Sequence, residues 1–280
     1  MAIKKDRKRR KKKTMAKQAD KFMLYQQSVQ NADHEVEFFE QAFREQYNRK
    51  PYTLREDFCG TYAVCCEWVK SSSRRTAIAV DLCSETLVWG TKHNLGKLKK
   101  SQQKRVTVLE QDVREKNKPK VDVLAAQNFS FWIFKTRKEV INYFKIARAN
   151  MNDEAIFVMD MMGGGACQTE DHTDKRTIIK GKRGFKYHWE QARFDPVTSD
   201  CSFYINFSFP DGSKLKHAFE YHWRFWTIPE VREMLSEAGF SASHVYWEQE
   251  DENGEDTGEW ARCESAASQA SWIAYIVATA

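Results

Sequence analysis

The sequence predicts an α/β fold in which a doubly wound, mostly parallel sheet carries helices on both faces. Between residues 54 and 161, short β-rich apolar runs alternate with helical segments, which is typical of parallel strands joined by crossover helices. A glycine turn or an acidic residue follows each of the first three runs. After about residue 166 the pattern changes to an alternation of apolar and polar residues, which is typical of antiparallel strands. We therefore expect an α/β core that carries an antiparallel β insertion.

The size and composition suit one elaborated domain. The chain has 280 residues, of which 41% are hydrophobic, enough to bury a substantial core. No stretch approaches the roughly 20 apolar residues that cross a bilayer. The seven cysteines are an odd number and none has C-x-x-C spacing. This pattern favours reduced thiols in a cytoplasmic protein, and neither the cysteines nor the histidines form a metal-binding motif.

Basic charge is concentrated at the N-terminus. Residues 1–17 contain ten Lys and Arg against Asp6, more than the net charge of +6 for the whole chain, so the remainder is net acidic. Residues 1–19 are predicted to be a disordered tail, because such a block repels itself. Two interpretations remain open: a solubilising tail, or weak contact of residues 4–17 with nucleic acid or ribosomes.

The core elements follow from periodicity. Residues 20–47 are predicted to form two helices or one broken helix before the first strand. Strands are predicted at 54–58, 76–81, 105–110, 121–126 and 155–161, and helices at 61–70, 85–99 with an interruption near Gly96, and 136–151. Residues 20–165 then form the N-terminal helices and the main part of the core.

The remaining chain is divided into an insertion and the last core elements. Residues 166–226 are predicted to form the insertion, with alternating runs at 177–194, 201–209 and 215–226. Residues 227–280 complete the core: Thr227 and Glu230 form a capping box, and Gly239 ends that helix. An acidic turn at 250–259 lies between two final strands, 243–249 and 272–277, which are predicted to pair antiparallel.

A strand, a glycine turn and a helix start meet at residues 54–62. This junction directs bare backbone N–H groups and a positive helix dipole to one point around Gly60. Asp81 ends an apolar strand about 20 residues later, where α/β nucleotide folds place the carboxylate that binds ribose hydroxyls. The junction alone is also compatible with a purely structural turn.

The order of these motifs resembles the class I S-adenosylmethionine-dependent methyltransferases of the small-molecule type, over about residues 20–280. The segment Glu56-Asp57-Phe58-Cys59-Gly60-Thr61-Tyr62 is similar to the family pattern D-x-G-C-G-T-G, with Phe58 and Tyr62 in place of two glycines. The resemblance implies a Rossmann-like sheet, an antiparallel last strand and S-adenosyl-L-methionine as cofactor.

The resemblance also assigns roles to acids at the strand ends. Asp81 corresponds to the acid that accepts both ribose hydroxyls, and Asp112 to the acid that contacts the adenine amino group. Alternatively, Asp81 caps the next helix and Asp112 starts a turn. Because Phe58 and Tyr62 are expected to narrow the loop, side chains such as Arg55 and Tyr25 are expected to hold the amino-acid end of the cofactor. The residues expected to bind the cofactor are Tyr25, Arg55, Glu56, Cys59, Gly60, Thr61, Asp81, Leu82, Asp112, Val113, Gln127, Asn128 and Phe129.

The segment after the fourth strand, residues 127–131, occupies the position of the family's reaction centre. Asn128 and Phe131 are similar to the two ends of the D/N-P-P-Y/F motif of nucleic-acid amino methyltransferases, but both prolines are missing. We interpret the segment as a wall beside the cofactor. Asn128 alternatively only caps the helix that follows.

The insertion is rich in aromatic residues and is predicted to be a substrate lid. Asn128, Tyr187 and Tyr221 are the candidate catalytic residues, and His188 and His222 are further candidates for a general base. Aromatic faces favour a cationic amine or a planar substrate. The residues expected to bind substrate are Trp189, Tyr221, Trp223 and Arg224; Arg224 binds a substrate carboxylate or pairs with an acid at the sheet edge.

The sequence therefore favours an enzyme that transfers a methyl group to a nitrogen or oxygen of a small metabolite. One alternative is methylation of RNA or a ribosomal protein with the basic tail as a tether. Another is a non-catalytic nucleotide-binding or scaffold protein.

Overall fold

The computed structural model describes residues 13–254 and 256–280, and it contains two β-sheets. The core sheet has eight strands in the order β11-β10-β12-β5-β4-β1-β2-β3, and the insertion sheet has four strands in the order β6-β7-β8-β9. The strands are β1 Thr53–Asp57, β2 Thr76–Asp81, β3 Val106–Glu110, β4 Val121–Ala126, β5 Met151–Gly163, β6 His172–Ile179, β7 Phe185–Phe194, β8 Asp200–Ser208, β9 Lys214–Arg224, β10 Ala242–Glu250, β11 Asp256–Cys263 and β12 Trp272–Thr279. The helices are α1 Met15–Gln18, α2 Lys21–Val29, α3 Ala32–Tyr47, α4 Ala63–Ser71, α5 Ser84–His93, α6 Lys100–Gln103, α7 Arg137–Ala149 and α8 Ile228–Glu237.

The core sheet is a mixed Rossmann-like sheet, as predicted. Strands β1 to β5 are mutually parallel through the pairs β1–β2, β2–β3, β1–β4 and β4–β5. Strand β12 runs antiparallel to β5, and β10 runs antiparallel to β12, which confirms the predicted final pair. The carboxyl ends of the five parallel strands therefore lie along one edge of the sheet, where ligands bind in open α/β folds.

Strand β11 was missed by the sequence prediction, which placed an acidic turn at 250–259. The strand lies at the outer edge of the sheet, and of its residues only Trp260 is buried. Because its side chains are mostly polar and exposed, the sequence shows no hydrophobic period there. Pairing with β10 stabilises this edge strand in place of its own hydrophobicity.

Helices cover both faces of the core sheet. Helices α3, α4 and α5 bury their apolar side chains against one face, and α7 and α8 against the other. The predicted capping box of α8 is present: Thr227 Oγ1 accepts the Glu230 N–H, and the Glu230 carboxylate accepts the Thr227 N–H. Gly239, at φ +96°, follows the helix end as predicted.

The insertion sheet has one apolar and one polar face. Along β8, buried and partly exposed residues alternate strictly, as the period of a strand requires. Its apolar side packs against Leu24 and Tyr25 of α2. The insertion sheet therefore closes over the N-terminal helices and the carboxyl edge of the core sheet.

The N-terminal segment differs in part from the predicted tail. Residues 15–18 form the helical turn α1, and the Met15 and Ala16 N–H groups donate to Asp211 and Ser213 of the insertion hairpin. The predicted disorder and the basic contact surface fall mainly on residues 1–12, which lie outside the described part of the chain. Among the described residues, no helix is long and apolar enough to cross a membrane.

Candidate functional site

The loop after β1 keeps a glycine-type backbone with only one glycine. Phe58, Gly60 and Tyr62 have φ angles of +55°, +52° and +45°, at the three positions that are glycine in the D-x-G-C-G-T-G pattern. Positive φ is unusual for residues with a Cβ and is maintained only when the surroundings stabilise it. At Phe58 and Tyr62 the backbone therefore adopts a conformation that favours glycine, although both residues carry large side chains.

The Tyr62 side chain explains how the loop tolerates this change. It is fully buried, and its hydroxyl bonds to Thr91 Oγ1 at 2.7 Å and to the Leu87 carbonyl at 3.3 Å. Gly90 makes room for it, since a Cβ there would lie 2.6 Å from the Tyr62 ring and 2.5 Å from the Thr61 carbonyl oxygen. The prediction that Tyr62 narrows the loop is wrong, because its ring points into the core.

Asp81 and Leu82 lie next to this loop. One Asp81 carboxylate oxygen accepts the Gly60 N–H at 2.8 Å, and the other accepts the Cys83 N–H at 2.8 Å. A carboxylate has about four lone-pair sites, so acceptor capacity remains for two hydroxyl groups. The Leu82 side chain is 67% exposed beside it and offers an apolar face. We call residues 58–62, 81–83 and 112–113 the loop edge.

Asp112 lies at the surface of the loop edge and is already paired. Its carboxylate contacts the Arg114 guanidinium at 2.7 Å, and this interaction lowers the pKa of Asp112. The side chain of Val113, which was expected to bind the cofactor, is buried in the core. The structure brings Asp112 to the predicted edge, with Arg114 as a competing partner.

The structure contradicts the prediction that Arg55 holds the amino-acid end of a cofactor. Its side chain is 1% exposed and forms an ion pair with Asp57 at 2.6 Å. Its other nitrogens donate to the Val113 carbonyl at 2.9 Å and to Asn117 Oδ1 at 2.5 Å. These partners connect β1 to the segment after β3 and occupy the guanidinium nitrogens.

Glu56, Cys59 and Thr61 face inward beneath the loop. The Glu56 carboxylate accepts the Cys65 N–H in the first turn of α4, and burial raises its pKa to about 7. Burial also raises the pKa of the Cys59 thiol, so this cysteine is a poor nucleophile. The Thr61 hydroxyl is buried without a hydrogen-bond partner.

The segment after β4 forms a tight turn on Asp160. Asn128 and Phe129 have φ angles of +58° and +56°, and their N–H groups each donate to one oxygen of the Asp160 carboxylate at 2.9 Å. Gln127 is 5% exposed, and neither its amide oxygen nor its amide nitrogen has a partner. Sequence analysis missed Asp160, although it is the only charged residue in the apolar run 155–163.

A cavity of about 800 Å³ opens beside this turn, between the core sheet, helices α2 and α3, and the insertion sheet. It contains all three predicted catalytic candidates and most of the predicted substrate residues. The candidates that line it are Asn128, Tyr187, Trp189, Tyr221 and Trp223, and the lining also includes Tyr25 and Phe129, which were expected to bind the cofactor. In the strand order β5-β4-β1-β2-β3, the Asn128–Phe129 turn after β4 lies between Asp160 of β5, in the cavity lining, and the loop after β1.

Arg224 does not reach the cavity. It is next to Trp223 in β9, so its side chain points to the opposite face of the sheet. There it stacks on Trp226 at 3.9 Å and donates to the Lys135 carbonyl at 3.0 Å. The prediction that Arg224 binds substrate is therefore wrong, and its nearest acid is Glu230 at 3.9 Å.

His188 and His222 are on the wrong face for a general base. Each alternates with an inward tyrosine along its strand, and each bonds to a serine hydroxyl on the outer face, Ser208 and Ser202 respectively. Tyr187 and Tyr221 line the cavity instead, and burial raises the pKa of Tyr187 to about 12. Both tyrosines are therefore neutral hydrogen-bonding groups at neutral pH.

Two buried carboxyl groups that the sequence did not predict line the cavity. Glu35 of α3 and Asp160 of β5 both line it, and burial raises the pKa of Asp160 to about 6 and that of Glu35 well above its ordinary range. Glu35 Oε2 and Gln191 Oε1, also in the lining, are buried atoms with no hydrogen-bond partner. These residues come from three distant segments, so no local pattern could have grouped them.

No protein-family model and no curated protein sequence matches the chain. Solved structures do. An S-adenosylmethionine-dependent methyltransferase from Clostridium acetobutylicum is 15% identical with a TM-score of 0.66, covering 92% of this chain and 96% of that one. An amino pentose methyltransferase from Micromonospora echinaspora, with bound S-adenosylmethionine, is 12% identical with a TM-score of 0.65, covering 92% and 95%. A sugar N-methyltransferase from a Streptoalloteichus species is 11% identical with a TM-score of 0.63, covering 100% and 98%. The chain is thus similar to these enzymes in fold along its whole length.

Proposed function

We propose that the protein is an S-adenosylmethionine-dependent methyltransferase that acts on a nitrogen or oxygen of a small molecule. One observation carries this proposal: a glycine-type loop and a strand-end acid lie on one side of the Asn128–Phe129 turn, and a cavity of about 800 Å³ lies on the other. Such an arrangement suits a nucleotide cofactor on one side of a shared wall and a second small molecule on the other.

The residues of the loop edge fit this cofactor. The Asp81 carboxylate is anchored by the Gly60 and Cys83 N–H groups and still has lone pairs for ribose hydroxyls. Leu82 offers an exposed apolar surface for the adenine ring. The Gln127 amide is buried and has no protein partner, so it is available to a ligand. Three features along the carboxyl edge of the core sheet thus match an adenosine.

Catalysis would depend on position and on exclusion of water. When bound, S-adenosylmethionine supplies a methyl group made electrophilic by the sulfonium. The protein's task is then to hold the acceptor in line and to enclose it. Tyr25 from α2 and the aromatic side chains from the insertion sheet enclose the cavity, and the two hydrogen bonds to Asp160 fix the wall at Asn128 and Phe129.

The structural neighbours support a small-molecule acceptor. Two of them are a sugar N-methyltransferase and an amino pentose methyltransferase. The enclosed cavity of this chain, set between three layers of structure, is of a size for a small molecule rather than for a duplex or a folded protein.

Calorimetry with S-adenosylmethionine and S-adenosylhomocysteine tests the proposal. We expect both to bind the purified protein, and Asp81→Ala to weaken binding by on the order of tenfold to 100-fold, because a charged acceptor and the anchor of Gly60 are lost. Asp153→Ala is the matched control, since Asp153 is exposed at the amino end of β5, on the opposite edge of the sheet. Absence of binding of either compound to the folded wild-type protein would refute the proposal.

A further inference from the structure

We propose that the methyl acceptor is an organic amine, which enters the cavity as an ammonium ion and is held between the Glu35 and Asp160 carboxylates and the aromatic wall of Trp189, Tyr221 and Trp223. This inference rests on the proposed function and names its substrate class.

The cavity lining contains acceptor atoms that have no hydrogen-bond donor. Among the described residues, the buried side-chain atoms of the lining that lack a partner are Glu35 Oε2 and Gln191 Oε1, and both are acceptors. Gln191 is 6% exposed, so water does not easily compensate for the missing bond. An ammonium group has three donors and no acceptor, whereas a hydroxyl has a single donor. The chemistry of the vacant positions therefore matches an amine better than an alcohol.

The charge of the cavity also lacks compensation. Glu35 interacts electrostatically with Asp160 and with Glu56 beneath it, and its neighbours on the packed elements are the hydroxyls of Tyr275 on β12 and Tyr25 on α2. No Lys or Arg within residues 13–254 and 256–280 forms an ion pair with any of the three acids. Without a cationic partner, burial favours the protonated form of both cavity acids, and an ammonium ligand would supply the partner that stabilises their carboxylate forms.

Positive groups that border the cavity do not neutralise it. Lys175 and Arg176 are exposed at its rim, and Arg176 lies over the Tyr187 ring and donates to the Ser28 carbonyl. His34 accepts the Trp260 indole N–H at Nε2, so that nitrogen carries no proton. None of these groups is paired with Glu35 or Asp160 in the described part of the chain.

Three aromatic rings form the opposite wall. The ring centroids of Tyr221 and Trp223 are 4.4 Å apart, and those of Trp189 and Tyr221 are 5.9 Å apart. Aromatic faces attract organic cations, with the strongest effect for Trp, and the attraction grows when the site excludes water. Acids on one side and aromatic faces on the other provide two independent contributions to ammonium binding.

A carboxylate also meets a chemical need of an amine acceptor. An ammonium nitrogen has no lone pair, so one N–H bond must break before the nitrogen can act as a nucleophile. Its proton would form an O–H bond with a Glu35 carboxylate oxygen, and the electron pair would stay on nitrogen. Glu35 is placed for this because its Oε2 has no other partner.

A matched pair of probes tests the inference on the full chain saturated with S-adenosylhomocysteine. Benzylamine, cationic at pH 7.5, and benzyl alcohol, its neutral isostere, are titrated by calorimetry and by tryptophan fluorescence. We expect benzylamine to bind at least about tenfold more tightly. Glu35→Gln should remove most of this preference. Glu37→Gln, on the exposed side of the same helix, should preserve it.

The possible results separate the two proposals. If S-adenosylhomocysteine binds but the two probes bind equally, or benzylamine fails to bind at millimolar concentration, the amine assignment is overturned while the methyltransferase proposal stands. If Glu35→Gln keeps the full preference, Glu35 is not the residue responsible and the inference is likewise overturned. A failure of S-adenosylhomocysteine to bind overturns the proposed function itself. Circular dichroism melting of both variants shows that each is folded.

Discussion

The two sides of the Asn128–Phe129 turn are built in different ways. On the loop edge the acids are at or near the surface and have protein partners: Asp81 accepts two backbone N–H groups and Asp112 pairs with Arg114. In the cavity the acids are buried, and Glu35 has an oxygen with no hydrogen-bond partner.

From this difference we infer that the loop edge is preformed, whereas the cavity requires a ligand. The loop edge satisfies its carboxylates from within the protein, so its geometry does not depend on a bound molecule. Among the described residues of the cavity lining, Glu35 Oε2 and Gln191 Oε1 are buried acceptors without partners, which is costly for stability unless a ligand supplies the missing interactions. Each of the following substitutions disturbs one of the two regions.

The largest effect is expected from Arg55→Met, which removes the buried cation behind the loop edge. Asp57 would keep only the Tyr143 hydroxyl, at 3.0 Å, as a side-chain partner. Breaking a buried pair in this way costs about 3–5 kcal/mol in the free energy of unfolding. Urea denaturation measures this loss.

The matched control is Arg114→Met, which removes the partly exposed pair with Asp112 and should cost about 1 kcal/mol or less. A similarly small loss of stability for Arg55→Met would show that the Arg55–Asp57 ion pair does not support the fold. Arg55 would then again be a candidate for binding the ligand.

A smaller effect is expected from Gly90→Ala, which disturbs the loop edge alone. The added Cβ would meet the Thr61 carbonyl at 2.5 Å, and backbone cannot move aside as a side chain can. We expect a loss of about 1–3 kcal/mol in stability and weaker binding of S-adenosylhomocysteine, with the benzylamine preference of the loaded protein unchanged.

Gly165→Ala serves as the control for added volume, because a Cβ at Gly165 would have no atom within 4 Å. If Gly90→Ala binds S-adenosylhomocysteine as tightly as wild type, the loop that Gly90 supports does not contact the cofactor.

Two buried acids, Glu56 beneath the loop edge and Asp160 in the cavity, predict a pH dependence of stability. Burial raises the pKa of Glu56 to about 7 and that of Asp160 to about 6, so both bind protons more tightly in the folded than in the unfolded chain. Lowering the pH from 7.5 to 5.5 should therefore raise the free energy of unfolding, by on the order of 2 kcal/mol from these two groups. Urea titrations at a series of pH values measure this change.

Variants assign the pH effect to its groups. Glu56→Gln should flatten the rise, whereas Asp112→Asn should not alter it, because the pKa of Asp112 is lowered and its titration falls below this range. Burial lowers the pKa of His188 and His244, and they act in the opposite direction, but they contribute equally to wild type and variants. An unchanged profile in Glu56→Gln would contradict the assignment.

The loop edge was predictable from sequence because its determinants are local. Gly60, Asp81 and Asp112 each follow a strand, and the resemblance placed them correctly along one edge of the sheet. The directions of two side chains were predicted wrongly. Arg55 turns inward because it pairs with Asp57, and Tyr62 turns inward because Gly90 leaves space for its ring.

The cavity was predictable only in part. The sequence analysis selected Tyr187, Trp189, Tyr221 and Trp223, which share the inner face of the insertion sheet in the structure. It also selected Arg224, which the period of a strand excludes from that face. Glu35, Asp160 and Gln191 were missed, because α3, β5 and β7 come together only in the folded chain. Strand β11 was missed since an exposed edge strand has no apolar period.

The most direct test of this division is a crystal structure of the protein with S-adenosylhomocysteine. We predict that the ribose hydroxyls lie within hydrogen-bond distance of the Asp81 carboxylate, that the adenine lies against Leu82, and that the sulfur lies beside Asn128 and Phe129 and faces the cavity. A nucleoside bound inside the aromatic cavity, with Asp81 and the Gly60 loop unoccupied, would contradict the account.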